Sequence, residues 1–410
     1  MIGRAPYFLF VGMISFGMAF LIGRLNHLSH AWIAGIAAAV AVWLMVSNPA
    51  HAESNRQPLD AVLTSIRAKY NLPALAGAVF TTDGLVEMSA VGVRKAGTDV
   101  PVTTGDLWHL GSDTKMMTAT LAGTYVVEKK LAWDDKVVSF FPEIAGLVPE
   151  AMRSVTLGQV LMHQAGLTEN LDWWALSKKG SLPEQRLAAA EIALTSPKYA
   201  PGVFHYANTD YVVVGAILEK IGGKPWEDLI RERVFQPLGM DSAGFGGTGT
   251  VGQIDQPWPH LDGGVPAPTN GPTMDNPEIM GPAGTVHCTM ADWVKFLTDQ
   301  LRGGVGMKAL VPGAIYLAMQ PELPASGNIY GYGWGVCSRD WAGGKALSHA
   351  GSNTMNFCVC WLAPGRKFGV LVCTNQGGDT AAFKACDEAA YALIQRYLAS
   401  LPAKPAPQAG

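Results

Sequence analysis

The run Leu110-Gly111-Ser112-Asp113-Thr114-Lys115-Met116-Met117 decides how the chain is read. It sets a serine and a lysine three residues apart, and Met116 to Glu128 follow with no proline. Positions i and i+3 share one helix face about one turn apart, so Lys115 can bring its amine beside the Ser112 hydroxyl. A serine is a weak nucleophile until a neighbour takes its proton. A lysine can do so once burial or another cation lowers its pKa. Ser112 would stand at a helix N-terminus, where free N–H groups favour developing negative charge. Taken alone, the pattern also describes a capping serine with a solvated lysine.

The chain has 410 residues, 49% hydrophobic and 15% charged, which suits a large domain or two intergrown ones and argues against disorder. The net charge is −3 and no Lys/Arg run gives a footprint for nucleic acid. Residues 1–52 hold no Asp or Glu and only Arg4 and Arg24 as charges. Two apolar runs, 6–23 and 31–46, precede Asn48-Pro49-Ala50-His51-Ala52, and Ala-x-Ala after such a core reads as a signal-peptidase site. Residues 1–52 are therefore expected to be a signal peptide, or a membrane anchor attaching the protein through its N-terminus if both runs are retained. Each run is slightly short for a full span, and the first also fits a start at Met13 or Met18. The body would then be exported, into the periplasm of a Gram-negative cell.

The six cysteines, Cys288, Cys337, Cys358, Cys360, Cys373 and Cys386, form no C-x-x-C pair, which argues against structural zinc. Cys358 and Cys360 would share one strand face roughly 6.6 Å apart, poorly placed to bond each other. A cross-strand bridge to Cys373 or Cys337 and buried free thiols both remain open.

Helical spacing marks residues 57–75, 155–163, 183–195, 209–221, 225–235, 291–302 and 381–398. Strand-like runs occur at 75–81 and 85–93, joined by Thr82-Asp83-Gly84, and again at 331–337, 345–349, 355–362 and 369–375. Residues 241–285, rich in Gly and Pro, read as a long wrapping loop. The expected fold class is α+β: one antiparallel β-sheet flanked by helices, with an inserted all-helical subdomain. The domain would span 53–398, its sheet built from 57–110 and 285–398 around an insertion at about 111–284. A disordered Pro/Ala-rich tail would follow at 399–410.

Two further stretches carry chemistry. In His205-Tyr206-Ala207-Asn208, an ammonium nearby would ease ionisation of Tyr206, which could act as base towards Ser112 and as acid towards a leaving group. The Asn208 amide can hold both Lys115 and a substrate carbonyl. In Ser348-His349-Ala350-Gly351-Ser352, Gly351 permits close backbone approach. The N–H of Ser352 can join that of Ser112 as an oxyanion hole, and His349 can bond the substrate or the tyrosine. A buried tyrosine and a turn histidine are the bland alternatives.

The flanking phrases make the pattern specific. They are Thr156-Leu157-Gly158-Gln159-Val160-Leu161-Met162-His163-Gln164-Ala165-Gly166-Leu167; Pro201-Gly202 before Tyr206; Gln236-Pro237-Leu238-Gly239-Met240; Gly281-Pro282-Ala283-Gly284-Thr285; Tyr332-Gly333-Trp334-Gly335; and His349-Ala350-Gly351-Ser352-Asn353. With Ser112-Asp113-Thr114-Lys115, and in this order over residues 57–395, the chain resembles the β-lactamase-related serine hydrolases. That group holds class C β-lactamases, serine D-Ala-D-Ala carboxypeptidases, D-aminopeptidases and related carboxylesterases. The resemblance implies a β-lactamase/transpeptidase-like fold, Ser112 as nucleophile and Lys115 and Tyr206 as the proton-handling pair. It also implies a substrate lying along the strand from His349 to Ser352, an acyl-enzyme, and no metal or organic cofactor. The implied substrates are a small ester or amide, or a peptidoglycan peptide. One departure stands out: β-lactamases of this type usually carry Lys-Thr-Gly where this chain has His-Ala-Gly. A neutral imidazole holds a carboxylate more weakly than lysine does, which resembles the esterases and some peptidases of the group more than its antibiotic-degrading members.

Gly244-Phe245-Gly246-Gly247-Thr248-Gly249 fits G-x-G-x-x-G but follows no expected strand and opens no expected helix. No G-x-S-x-G or H-E-x-x-H is present. Trp173-Trp174 either lines an apolar acyl pocket or packs in the core.

Overall fold

The computed structural model describes residues 57–402 apart from 179, 269, 326, 378 and 379. The expected leader at 1–52 and most of the expected tail at 399–410 lie outside them. Among the described residues twelve strands occur: β1 Ala74–Thr81, β2 Gly84–Gly92, β3 Leu107–His109, β4 Gly244–Phe245, β5 His260–Leu261, β6 Val265–Pro266, β7 Val286–Thr289, β8 Ile329–Tyr330, β9 Gly335–Arg339, β10 Gly344–Ser352, β11 Phe357–Ala363 and β12 Phe368–Thr374. Seven of them make one sheet in the order β2-β1-β12-β11-β10-β9-β8, every pairing antiparallel. A second sheet, β3-β7-β4, stands beside the nucleophile stretch. Both chain ends therefore feed the main sheet, as the strand spacing suggests, and the fold is α+β.

β1 shows why the sheet is covered on both faces. Leu75 and Val79 pack with Leu63 of α1 (Leu59–Lys69) and Leu393 of the closing helix. Ala76, Ala78 and Phe80 point the other way, into the cluster that holds Met116, Met117 and Phe296. A strand buried on both faces reads as continuous apolar sequence, which is how Ala74–Phe80 reads. On the second face lies α2 (Thr114–Val127), buried from Thr114 through Tyr125 and apolar on all sides, as a central helix must be. Beyond it pack α3 (Leu182–Thr195) and α4 (Asn208–Gly222); α5 (Met290–Gly304) lies directly against β1, β2 and β12, while α6 (Thr380–Ser400) closes the first face. The compact unit starts at Pro58.

Some expectations need correction. The insertion at 111–284 is not all helical, because β4, β5 and β6 fall inside it. Residues 244–249 contain the short β4 and then turns, with no helix to receive a dinucleotide. The expected strand at 331–337 is broken by a tight turn: the Gly331 N–H bonds the Trp334 carbonyl, and β8 pairs with β9 across it. That turn presses onto the start of α2, where a Cβ on Gly333 would stand 2.5 Å from the Met116 Cα. All six cysteines are free and buried, with Cys358 directly across from Cys373 in the β11–β12 register. Among the described residues no helix is long and apolar enough to cross a membrane, and no His/Cys/Asp/Glu group could hold a metal ion.

One buried cation ties the helices to the site. Arg186 of α3 bonds the Glu219 and Glu227 carboxylates and the backbone carbonyls of Glu278 and Ile279. It is fully buried. Its removal strands two part-buried carboxylates, so Arg186→Ala should lose about 3–5 kcal/mol of stability in urea unfolding, whereas a loss under 1 kcal/mol would contradict this role.

Candidate active site

Ser112 lies in a single 3-10 turn, Gly111–Asp113, immediately before α2, rather than inside the helix. Lys115 sits in the first turn of α2, so the three-residue spacing still delivers its amine: Nζ is 3.0 Å from the Ser112 Oγ. Two acceptors complete its surroundings, the Asn208 Oδ1 at 2.7 Å and the Ala283 carbonyl at 2.8 Å. Asn208 opens α4, and its own Nδ2 donates to the Asn170 Oδ1 at 2.9 Å, which orients the amide. Ala283 belongs to the short helix Gly281–Gly284, whose Pro282 carbonyl accepts from Thr118 of α2.

Lys115 is fully buried, and burial pulls its pKa down to about 7, against the opposing charges of Asp210 and Asp113. A neutral amine has two N–H bonds and one lone pair. Here two fixed acceptors take the N–H groups, which leaves the lone pair for the Ser112 hydroxyl.

Tyr206 comes in on the extended segment before α4. Its ring centre is 4.8 Å from the Lys115 Nζ, and its phenol faces the Ser112 hydroxyl. Although 37% of the residue meets solvent, the phenol oxygen sits among buried groups. Burial pushes its pKa up; the Ser112 hydroxyl opposes this, and the neighbouring Asp113 and Asp210 carboxyl groups add to it. The expected ionised phenol is thus not what the surroundings favour. The ammonium that would stabilise it is itself suppressed by burial, so Tyr206 is a neutral donor.

Beneath Tyr206 lies His163, its ring 4.3 Å away. The His163 Nδ1 stands 2.7 Å from the Asp210 Oδ2 and accepts from the Ala207 N–H. A backbone N–H only donates, so Nδ1 accepts and the shared proton rests on Asp210. The directions agree: burial drives Asp210 well above the usual carboxylate range and His163 well below the usual imidazole range.

His349 is buried, and both ring nitrogens are occupied, though not by the expected partners. Nδ1 faces the Asp113 Oδ1 at 3.0 Å and Nε2 the Tyr330 hydroxyl at 2.9 Å. The imidazole locks the residue after the nucleophile to β10 and bonds neither Tyr206 nor open space. On the opposite flank, His109 accepts the Gly111 N–H at Nδ1 and pairs through Nε2 with Asp275, which also receives the Asn353 amide.

Gly351 and Ser352 lie against the nucleophile turn. A Cβ on Gly351 would stand 1.9 Å from the Leu110 carbonyl and 2.8 Å from the Ser112 nitrogen. A Cβ on Gly111 would stand 2.3 Å from the Ser352 nitrogen, and Gly111 has φ +50. Glycine at both positions lets the Ser112 and Ser352 amides come close. Pairing of β10 with β9 stops at Ser348, so no described strand covers that edge of Ala350–Ser352. The Ser352 hydroxyl is spent on the Asn356 carbonyl. Trp173 is buried with its indole N–H on Asn170, whereas Trp174 is exposed, so the pair divides between the two expected roles.

Ser112, Lys115, Tyr206, Asn208, Gly351 and Ser352 therefore converge, and His349 stands one layer behind them. Asp113, His163, Asp210, Ala283 and Tyr330 were not singled out from sequence as site groups. The phrases around His163 and Ala283 held the available signal.

A family model described as Beta-lactamase matches residues 59–394, and the chain belongs to that family. It is 29% identical over 331 residues to penicillin-binding protein 4 of Amycolatopsis lactamdurans, covering 78% of this chain and 85% of that one. It is 27% identical over 289 residues to a beta-lactamase of Yersinia enterocolitica, covering 68% and 69%. A solved D-alanine carboxypeptidase from Burkholderia cenocepacia shares the fold with a TM-score of 0.65 at 19% identity, covering 84% of this chain and 98% of that one.

Gly351→Ala tests the close approach. It should slow labelling of Ser112 by a fluorophosphonate at least about 100-fold, since a shift near 1 Å at reacting atoms has that effect. Labelling at the wild-type rate would mean the gap is not set here.

Proposed function

We propose that the protein is a serine hydrolase that cleaves an ester or amide through a Ser112 acyl-enzyme. The observation that carries this is the arrangement at Lys115: two backbone-anchored or amide acceptors, one serine hydroxyl, complete burial and a pKa near 7. In this reading the Lys115 lone pair takes the Ser112 proton as Oγ attacks the carbonyl. The substrate lies along the free edge of β10, and the amides of Ser112 and Ser352 hold the oxyanion; one such donor is worth about 100- to 1000-fold in rate. Tyr206, neutral, gives its proton to the leaving group and is refilled from Lys115, so the tyrosine proton departs and the serine proton takes its place on the phenol. Water then enters by the reverse path and releases the acid. Asn208 orients Lys115 and offers its amide to the substrate. His349, held by Asp113 and Tyr330, positions the turn.

Export of the protein, into the periplasm in a Gram-negative cell, is supported by the composition of residues 1–52. N-terminal sequencing of the mature protein should find Glu53 first, whereas a retained leader would make it an anchor. A second reading, a cell-wall D-Ala-D-Ala carboxypeptidase or a β-lactamase, is favoured by the names of the relatives. Acylation of Ser112 by labelled penicillin is its test. The complete catalytic set leaves little to recommend a non-catalytic binding protein.

The base assignment has a definite sign. A lysine with its pKa lowered to about 7 is an active base above that pH and a spent one below it. Hydrolysis of p-nitrophenyl esters should therefore show kcat/KM rising with pH to a limb near 7, and Ser112→Ala should lose at least about 1000-fold. A flat profile from pH 5 to 9, or turnover that survives Ser112→Ala, would overturn the assignment.

A further inference from the structure

We infer that this site takes a substrate whose leaving group is uncharged and apolar, and that Phe204 is the wall that selects it. The inference rests on the serine-hydrolase reading above and names the substrate class for it. Tyr206 marks the leaving-group side, because in that reading its phenol, beside the Lys115 amine, gives the departing atom its proton.

A leaving group bearing a carboxylate needs a cation with a free donor on that side. Among the described residues, neither of the two basic side chains that border the site has one. The Lys115 amine already meets Ser112, Asn208 and Ala283. His349 has given one ring nitrogen to Asp113 and the other to Tyr330, and it is buried. Two carboxyl groups flank Tyr206, and that of Asp210 keeps its proton. Asp113 and Asp210 are fully buried beside it. Glu169, whose backbone carbonyl accepts the Asn208 N–H, holds Lys198 in its own ion pair. A carboxylate entering here would find no free donor pair among the described side chains.

The surface next to Tyr206 is instead aromatic. Side chains alternate sides along the extended segment before α4. His205 turns away and stacks on Tyr199 at 3.9 Å. Phe204 and Tyr206 share the other side, where the Phe204 ring lies 5.8 Å from Tyr330 and 6.0 Å from His163, the same two rings that border Tyr206. Phe204 is nevertheless 50% exposed, and Val203 beside it is 55% exposed. A large ring backed by His163 and Tyr330, yet open to solvent on the segment that carries Tyr206, offers a face that an apolar group can cover.

A pair of thioesters tests this with acyl group and thiol acidity matched. One is the phenylacetyl thioester of 3-phenylpropanethiol; the other is that of 3-mercaptopropionate. The inference expects kcat/KM for the apolar thioester to exceed that for the carboxylate one at least about 100-fold. Phe204→Ala should cut this ratio by about 10-fold or more, mainly through KM, and Phe204→Leu should restore most of it. A ratio near one, a preference for the carboxylate, or Phe204→Ala lowering both substrates equally would overturn the inference. So would turnover of neither thioester by protein whose Ser112 still reacts with a fluorophosphonate, an outcome that leaves the hydrolase reading intact. Failure of Ser112 to label at all, in folded protein, would instead remove the hydrolase reading itself.

Discussion

The structure turns on a lysine amine held out of water. Burying an ammonium is costly, and a group so placed sheds its proton unless a carboxylate sustains the charge. Around Lys115 the two candidate carboxylates are diverted: Asp210 faces the His163 nitrogen and keeps its proton, and Asp113 is bonded to His349. What remains for the amine is an amide oxygen, a backbone carbonyl and a serine hydroxyl. The same burial that lowers Lys115 raises Tyr206, so base and acid are separated by one physical cause acting with opposite sign on a cationic and an anionic conjugate.

Holding that geometry takes contributions from distant parts of the chain. The Ala283 carbonyl reaches Lys115 from 168 positions further on, and its segment is braced by Arg186 through the Glu278 and Ile279 carbonyls. β10 reaches the nucleophile turn only because Gly111 and Gly351 carry no side chains, and the Asp113–His349–Tyr330 chain fastens the two pieces from behind. β10 is fixed in turn by its register with β11, where Gly351 faces Cys358, and the Cys358 thiol donates to the His109 carbonyl. The main sheet is thus the frame that sets the distance between two amides.

Much of this could be read before any coordinates. Ser112 and Lys115 are near by helix geometry alone, and the phrase ending in Tyr206-Ala207-Asn208 carried the next two groups. The antiparallel sheet from both chain ends was legible because period-2 strands with turn residues between them recur after residue 329. The chemistry of His349 was not legible, because its partners, Asp113 and Tyr330, are set by how β10 lies on the nucleophile turn. The ionisation of Tyr206 was misjudged for a related reason: sequence gives proximity to a lysine but not the burial that removes the lysine's charge. The break between β8 and β9 escaped the pattern because Gly333 is dictated by the approach of α2.

The most direct test of this account is the protonation of the buried amine itself. An NMR titration of protein carrying nitrogen-15 at the lysine side chains, with the Lys115 signal assigned from a Lys115→Arg variant, would follow it without a substrate. The account predicts an apparent pKa near 7 for Lys115, with the other lysines titrating in the ordinary range. A Lys115 signal that stays protonated to pH 10 would contradict it.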